Sequence, residues 1–201
     1  MNYRRITEKV AVELNFSEAY TFYCMAMKSD YNTLVSHIKQ DTLASLVGVD
    51  VSTIQRHIYR FEEAGLLTKT TKCINSLKMN TYKLIDDNYK YITDQLMNEP
   101  ISRELKGFLV ILKCRCYNCS NNCQYSVRGL ADTLVVGKST VDKYLRLAEE
   151  AGYITRDKKG ITIVREDIFI AARESTYYYC VKTYPEILTD EDIAAHKIIT
   201  N

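Results

Sequence analysis

Apolar residues recur at helical spacing along several stretches of this chain, and one stretch shows a clear order of elements. Residues 43–68 open with a short apolar segment that predicts one helix. After a turn, Ile54, Ile58 and Phe61 fall on one face of a second, longer helix. Gly65, which follows, is typical of the residue just past a helix end. The β-rich residues after it predict a hairpin.

A second stretch repeats the first without a gap, at a constant offset of 87 residues. Residues 130–155 share ten identities with residues 43–68 over 26 positions, and apolar positions otherwise exchange among apolar residues. In this copy Val141, Leu145 and Ala148 form the apolar face of the longer helix. The chain therefore carries two copies of one unit of about 85 residues.

Each copy is preceded by a matching strand and helix. Residues 3–7 (YRRIT) match residues 89–93 (YKYIT). A helix is predicted to begin near Ser17 in the first copy and near Ser102 in the second, because serine is a favoured N-cap. The hairpin of the first copy is predicted to turn near residues 75–76, and that of the second copy at residues 157–160.

The order strand, three helices and hairpin is the winged-helix arrangement, with Asp50 and Gly137 as the N-caps of the third helices. The predicted fold class is mainly α with small β wings (α+β). We expect one winged-helix domain at residues 1–87, a second at residues 88–165 and a short helical tail at residues 166–201.

The third helix of each copy has a polar face opposite its apolar face, as a helix in the major groove of DNA requires. A polar face alone is commonly just solvated, but its duplication within a helix–turn–helix favours DNA binding. In the first copy the candidate DNA-binding residues of helix and hairpin are Ser52, Gln55, Arg56, Tyr59, Arg60, Lys69, Lys72 and Lys78. In the second copy they are Lys138, Ser139, Lys143, Arg146, Arg156, Lys158 and Lys159.

The net charge of +2 conceals an uneven distribution of charge along the chain. Residues 52–83 contain six basic and two acidic residues, and residues 138–165 contain seven basic and four acidic ones. Residues 166–201 contain three basic and seven acidic residues. Basic repeats favour phosphate contacts through counterion release. The acidic tail is expected to pack or to mediate a homodimer, since DNA would repel it.

The segments LASLVGVDVSTIQRHIYRFEEAGLL and LADTLVVGKSTVDKYLRLAEEAGYI resemble the winged helix–turn–helix signature of bacterial and phage regulators. Plasmid or phage replication initiators and phage replisome organisers are the most similar of these. The resemblance covers about residues 3–165. It implies the fold and duplex DNA binding.

The chain has seven cysteines, and Cys114, Cys116, Cys119 and Cys123 lie close together in sequence. Thiolates at short spacing bind zinc, but structural zinc sites usually draw ligands from two separated knuckles. We therefore expect no metal and no cofactor, with a metal site on these cysteines as the alternative. No nucleophile–base pair and no paired-carboxylate signature is present, so no enzymatic activity is expected.

These patterns predict a cytoplasmic, sequence-specific duplex DNA-binding protein that regulates transcription or a mobile element. A replication initiator and a winged-helix protein-interaction module without DNA binding are the alternatives. No apolar run is long enough to span a membrane. The first copy, with Gln55, Arg56 and Arg60, is expected to supply most base specificity. The second, with Lys138, Lys143 and Arg146, is expected to supply mainly non-specific affinity.

Overall fold

The protein is a mixed α+β structure with small antiparallel sheets. A computed structural model describes residues 2–74, 77–117, 120–158 and 160–171, without the side chains of residues 74, 77 and 78. The elements of the first repeat are β1 (Tyr3–Thr7), α1 (Val10–Glu13), α2 (Phe16–Met27), β2 (Val35–Ser36), α3 (Gln40–Val47), α4 (Val51–Glu63), β3 (Leu67–Ile74) and β4 (Leu77–Leu84).

The second repeat follows the same order of elements. It consists of β5 (Tyr89–Thr93), a 3₁₀ helix (Asp94–Asn98), α5 (Arg103–Cys114), β6 (Asn122–Cys123), α6 (Val127–Leu134), α7 (Lys138–Glu150), β7 (Ile154–Asp157) and β8 (Gly160–Ile163), and β9 (Phe169–Ile170) follows it. The helix pairs α2/α5, α3/α6 and α4/α7 each begin 87 residues apart, which is the offset of the sequence repeat. The repeat in sequence is therefore a repeat in structure.

Side-chain and glycine caps explain where the helices begin and end. Ser102 caps α5 as predicted, since its side chain accepts a hydrogen bond from Leu105 N at 3.2 Å. The expected cap at Ser17 is wrong. Asn15 caps α2 instead, because its side chain and that of Glu18 each accept a hydrogen bond from the other's backbone N–H at 3.0 Å.

The longer helices α4 and α7 begin directly after Asp50 and Gly137, as predicted. The Asp50 side chain accepts no hydrogen bond from the first turn of α4, and Gly137 has no side chain that could cap α7. The predicted glycines past their ends are confirmed, because Gly65 and Gly152 have φ angles of 65° and 74°. This left-handed conformation suits glycine at the end of a helix.

The first strands of the two repeats pair with each other. In the sheet of order β1-β5-β9, antiparallel β1 and β5 place Arg5 opposite Tyr91, and these are equivalent residues of the two matching strands. An antiparallel pair in which a residue faces its own counterpart has a local twofold axis at that pair. The repeats are therefore related here like the subunits of a dimer.

Contacts across this axis come in equivalent pairs. The Phe16 ring at the start of α2 packs against Tyr144 of α7, with ring centroids 4.8 Å apart. Burial lowers the pKa of His57, the counterpart of Tyr144 in α4, and Arg103, the counterpart of Phe16 at the start of α5, adds a smaller effect in the same direction. Arg103 also donates to Gly48 O of the first repeat at 3.3 Å. In each repeat, the residue at the start of the central helix therefore lies close to the longer helix of the other repeat.

The two repeats share one hydrophobic core rather than one each. Helices α2 and α5 lie at its centre, and the Phe16 and Phe108 rings meet edge to face at 5.4 Å. Tyr23 of the first repeat donates a hydrogen bond to Thr93 O of the second at 2.6 Å. A shared core fixes the two longer helices relative to each other.

The first residues of the predicted helical tail form a strand. Residues 169–170 are β9, which pairs with β5 through Tyr91↔Ile170 and Ile92↔Phe169. The rest of the predicted helical tail, residues 172–201, lies outside the described residues. Of the helices that the structure describes, none combines the length and apolar character that a membrane span needs.

Candidate nucleic-acid interface

Helix α4 has one buried and one exposed face. Its amphipathic sequence places Ile54, Ile58 and Phe61 in the core, each no more than 1% exposed. The opposite side exposes four of the predicted DNA-binding residues, which are Ser52, Gln55, Arg56 and Tyr59. They recur at intervals of three and four residues and so form one stripe along the helix.

The β3–β4 hairpin extends this stripe into a groove of about 510 Å³. The groove lies between the exposed face of α4 and one face of the hairpin. It is lined by Gln40, Gln55, Ile58, Tyr59, Glu62, Lys69, Thr71 and Asn80. Of the predicted residues, the fold therefore brings Gln55, Tyr59 and Lys69 together.

Side-chain hydrogen bonds hold the amide of Gln55 within the groove. Gln55 Nε2 donates to Gln40 Oε1 at 3.4 Å, and Gln40 Nε2 donates to the hydroxyl of Tyr82 at 3.2 Å. Tyr82 is fully buried and comes from the hairpin. The series links α4, α3 and β4, so a polar contact at Gln55 has support from two other elements.

The stripe on α4 is polar and basic at its start and acidic at its end. Arg56 Nη2 donates to Thr53 Oγ1 at 3.1 Å and remains exposed. Near the end, Glu62 lines the groove, and a hydrogen bond with Glu63 raises the pKa of Tyr59. Carboxylates repel phosphate, so the charge of the first half of α4 suits DNA better than that of its second half.

Other predicted residues of the first repeat lie away from the groove. The Arg60 guanidinium turns to α1, where Nη2 donates to Glu13 O at 3.1 Å and lies 3.5 Å from the Glu13 carboxylate. Lys72 is exposed on the other face of the hairpin from Lys69, since side chains alternate along a strand. Lys78 lies on β4, but its side chain is outside the described part of the chain.

The second repeat exposes the corresponding positions of α7. Lys138, Ser139, Lys143 and Arg146 are all exposed on this helix. Lys158 is exposed where the β7–β8 hairpin turns. The predicted residue Lys159 lies outside the described residues. The start of α7 thus carries the positive Lys138 side chain where the free N–H groups and the dipole of a helix also favour anions.

A network of alternating charges joins α7 to its hairpin. Asp142 lies 3.5 Å from Arg146 Nε and 3.6 Å from Arg156 Nη1. Arg156 of β7 also forms an ion pair with Glu149 at 2.5 Å and holds the pKa of that carboxyl below its usual value. Arg156, predicted to contact DNA, is therefore occupied by two carboxylates.

Four residues around the groove of the first repeat were not predicted from the sequence, namely Gln40, Thr71, Asn80 and Tyr82. Hairpin alternation could have found Thr71, which shares a strand face with Lys69. No sequence pattern pointed to Gln40, because the position of its side chain beside Gln55 depends on the angle between α3 and α4.

The cysteine cluster is part of the core where the structure describes it. Cys114, Cys116 and Cys123 are buried, and burial raises the pKa of Cys114 and of Cys116 to about 12. The Cys114 thiol donates to Thr7 O at 3.7 Å, and the Cys116 thiol donates to Leu112 O at 3.4 Å. Cys119 is outside the described residues, which contain no group of three potential metal ligands.

Comparison of the chain with protein-family models, with curated proteins and with solved structures finds no match.

Proposed function

We propose that the protein binds duplex DNA in a sequence-specific manner through two winged-helix repeats. The observation that carries this proposal is the groove in which Gln55 and Tyr59 of α4 face Lys69 of the hairpin. A helix in the major groove reads bases with residues such as glutamine, while a flanking hairpin reaches the phosphates. The exposed Arg56 adds a side chain that pairs bidentately with guanine.

The pairing of the repeats supports a particular arrangement of target sites. Arg5 and Tyr91 mark a local twofold axis, and a dimer of helix–turn–helix subunits binds half-sites in inverted orientation. The stripes of α4 and α7 differ in sequence, so the two half-sites should differ too. One chain would then occupy an imperfect inverted repeat whose halves lie a whole number of helical turns apart.

Binding of this kind acts by occupying a site. A protein that covers two half-sites excludes other proteins from the same duplex, which is how a transcription regulator or a regulator of a mobile element works. We assign this role to the protein. The shared core supports it, because fixed recognition helices preserve the spacing that a specific site requires.

A gel-shift titration over a range of salt concentrations tests the proposal. Log affinity should fall linearly with log salt, by about 0.9 for each phosphate neutralised. The variant Gln55→Ala/Arg56→Ala should weaken binding, whereas Lys28→Ala serves as a control because it removes one positive charge from the exposed end of α2. Absence of duplex binding at low salt would refute the proposal and favour a protein-interaction module.

A further inference from the structure

The contact between Asp142 and Arg146 involves one edge of the arginine only. These residues lie one turn apart on α7, and Asp142 Oδ2 faces Arg146 Nε at 3.5 Å. The Arg146 side chain is 62% exposed. A guanidinium carries five N–H donors in a plane, so a carboxylate at Nε leaves the edge formed by the two terminal nitrogens open. That edge is the one that matches two acceptors side by side.

The carboxylate at this position is itself held from outside the helix. Its second oxygen, Oδ1, faces Arg156 Nη1 at 3.6 Å, and Arg156 is tied to Glu149. Arg156 belongs to β7, so the hairpin restrains Asp142, and Asp142 in turn restrains Arg146. The arrangement orients a side chain that would otherwise sample many rotamers.

Stability alone gives a weak reason for this network. Exposed ion pairs contribute little to stability because water screens them, and the Asp142 side chain is 46% exposed. A carboxylate in the middle of a phosphate-binding surface lowers affinity for any duplex. The Asp142 carboxylate favours binding overall only if the affinity gained by orienting Arg146 exceeds the affinity lost by repelling phosphate.

We infer that Arg146 reads a guanine in the half-site of the second repeat and that Asp142 is its positioning residue. This inference rests on the proposed DNA-binding function. Guanine presents O6 and N7 side by side in the major groove, which matches the open edge of Arg146. The second repeat then supplies base specificity as well as affinity, and Lys143 keeps the role of a phosphate contact.

The first repeat has neither the carboxylate nor the arginine at the equivalent positions of α4. The counterparts of Asp142 and Arg146, at the offset of 87, are Gln55 and Tyr59. Gln55 is held by Gln40 rather than by an ion pair. The two recognition helices therefore present different chemistry to their half-sites, and a guanine contact made by an arginine that a carboxylate positions belongs to the second half-site alone.

The test begins by selecting the preferred site of the full-length protein from a pool of random duplexes. Wild type, Arg146→Ala, Arg146→Lys, Asp142→Asn and Glu150→Gln are then titrated against this site, against all single-base variants of it and against a scrambled duplex. Glu150→Gln is the matched control, since it removes one negative charge from an exposed position at the end of the same helix. Circular dichroism checks that each variant is folded.

Arg146→Ala should weaken binding to the selected site by about 10-fold to 100-fold and lose the preference for guanine at one base pair. Arg146→Lys should lose the same preference while keeping its affinity for scrambled duplex, because lysine has the charge without the planar fork. Asp142→Asn should bind scrambled duplex more tightly and yet discriminate less at that base pair. Glu150→Gln should raise both affinities equally and keep the preference.

Two results would overturn the inference while the proposed function stands. One is an Asp142→Asn variant that behaves like Glu150→Gln. This result would show that Asp142 affects binding only through its negative charge and does not position Arg146. The other is an Arg146→Ala variant that loses affinity equally for selected and scrambled duplexes, which would make Arg146 a phosphate contact. A wild-type protein that binds no duplex would overturn the inference and the proposed function together.

Discussion

The carbonyl oxygen of Phe16 lies where a side chain at Gly107 would be. A Cβ atom built at Gly107 would approach this oxygen to 1.7 Å and the Phe16 carbonyl carbon to 2.6 Å. Gly107 lies inside α5, and Phe16 is the first residue of α2. The absence of a side chain at this glycine lets the central helices of the two repeats meet closely.

Replacing this glycine should therefore separate the repeats. Gly107→Ala should lower the free energy of unfolding by at least about 1–3 kcal/mol, because backbone rather than a flexible side chain must move. Gly129→Ala in α6 is the control, since its Cβ would meet only side-chain atoms at 3.4 Å. That change should leave stability unchanged or raise it by up to about 1 kcal/mol. Urea denaturation of both variants measures the difference, and equal stabilities would contradict the packing described.

Burial lowers the pKa of His57, and the nearby Arg56 and Arg103 act in the same direction, against Glu18. The ring is neutral in the folded protein at neutral pH. Its Nδ1 lies 2.9 Å from Thr21 Oγ1, which donates to Ser17 O. Thr21 Oγ1 therefore accepts a hydrogen bond from Nδ1–H, which places the one ring proton of neutral His57 on Nδ1.

Protonation should then favour the unfolded chain. Below the unfolded pKa of about 6.5, the unfolded state binds a proton that folded His57 does not, so the free energy of unfolding should fall as pH drops from 7 to about 5.5. Denaturation at several pH values measures this slope. His57→Gln should reduce it, whereas His37→Gln, at an exposed position, should not. Identical slopes in the wild type and His57→Gln would contradict the assignment.

Base contacts and phosphate contacts should separate in binding experiments. Arg56→Ala should cost about 1–3 kcal/mol on the selected site and relax base preference at one position. Lys143→Ala should weaken selected and random duplex equally and reduce the salt slope by about one. Titration of each variant at several salt concentrations distinguishes the two. The roles are reversed if Lys143→Ala alters base preference and Arg56→Ala does not.

The buried thiols predict a low metal content. Burial raises the pKa of Cys114 and Cys116 to about 12, and both thiols donate to backbone carbonyls in the core. Structural zinc sites also draw their ligands from two separated knuckles rather than from one short segment. We expect less than one zinc or iron atom per purified chain by elemental analysis. One tightly held metal per chain that disappears in Cys119→Ser would contradict this expectation.

Local signals in the sequence located most of the helices. The offset of 87 placed α4 and α7, and Gly65 and Gly152 fixed their ends, because a left-handed residue after a helix is a local requirement. The cap at Asn15 was not predicted because Asn15 and Ser17 are both residue types that cap helices and lie two positions apart. Glu18, which pairs with Asn15 in the capping box, follows both of them closely in sequence.

Relationships between the repeats could not be predicted. The sequence showed that strands 3–7 and 89–93 match, but not that they pair with each other. Likewise the basic residues on α4 and β3 were identified, whereas the turn of Arg60 toward Glu13 depends on where α1 lies. Such contacts depend on tertiary packing between segments far apart in the chain, which hydrophobic periodicity does not encode.

Binding of one chain to two unlike half-sites can be measured by selecting sites from random duplex DNA and footprinting a single chain on the enriched site. An imperfect inverted repeat with unlike halves should be enriched, one chain should protect both halves, and the affinity should fall steeply with salt. Failure to enrich any sequence, with binding to duplex that is absent or unaffected by salt, would contradict this mode of binding.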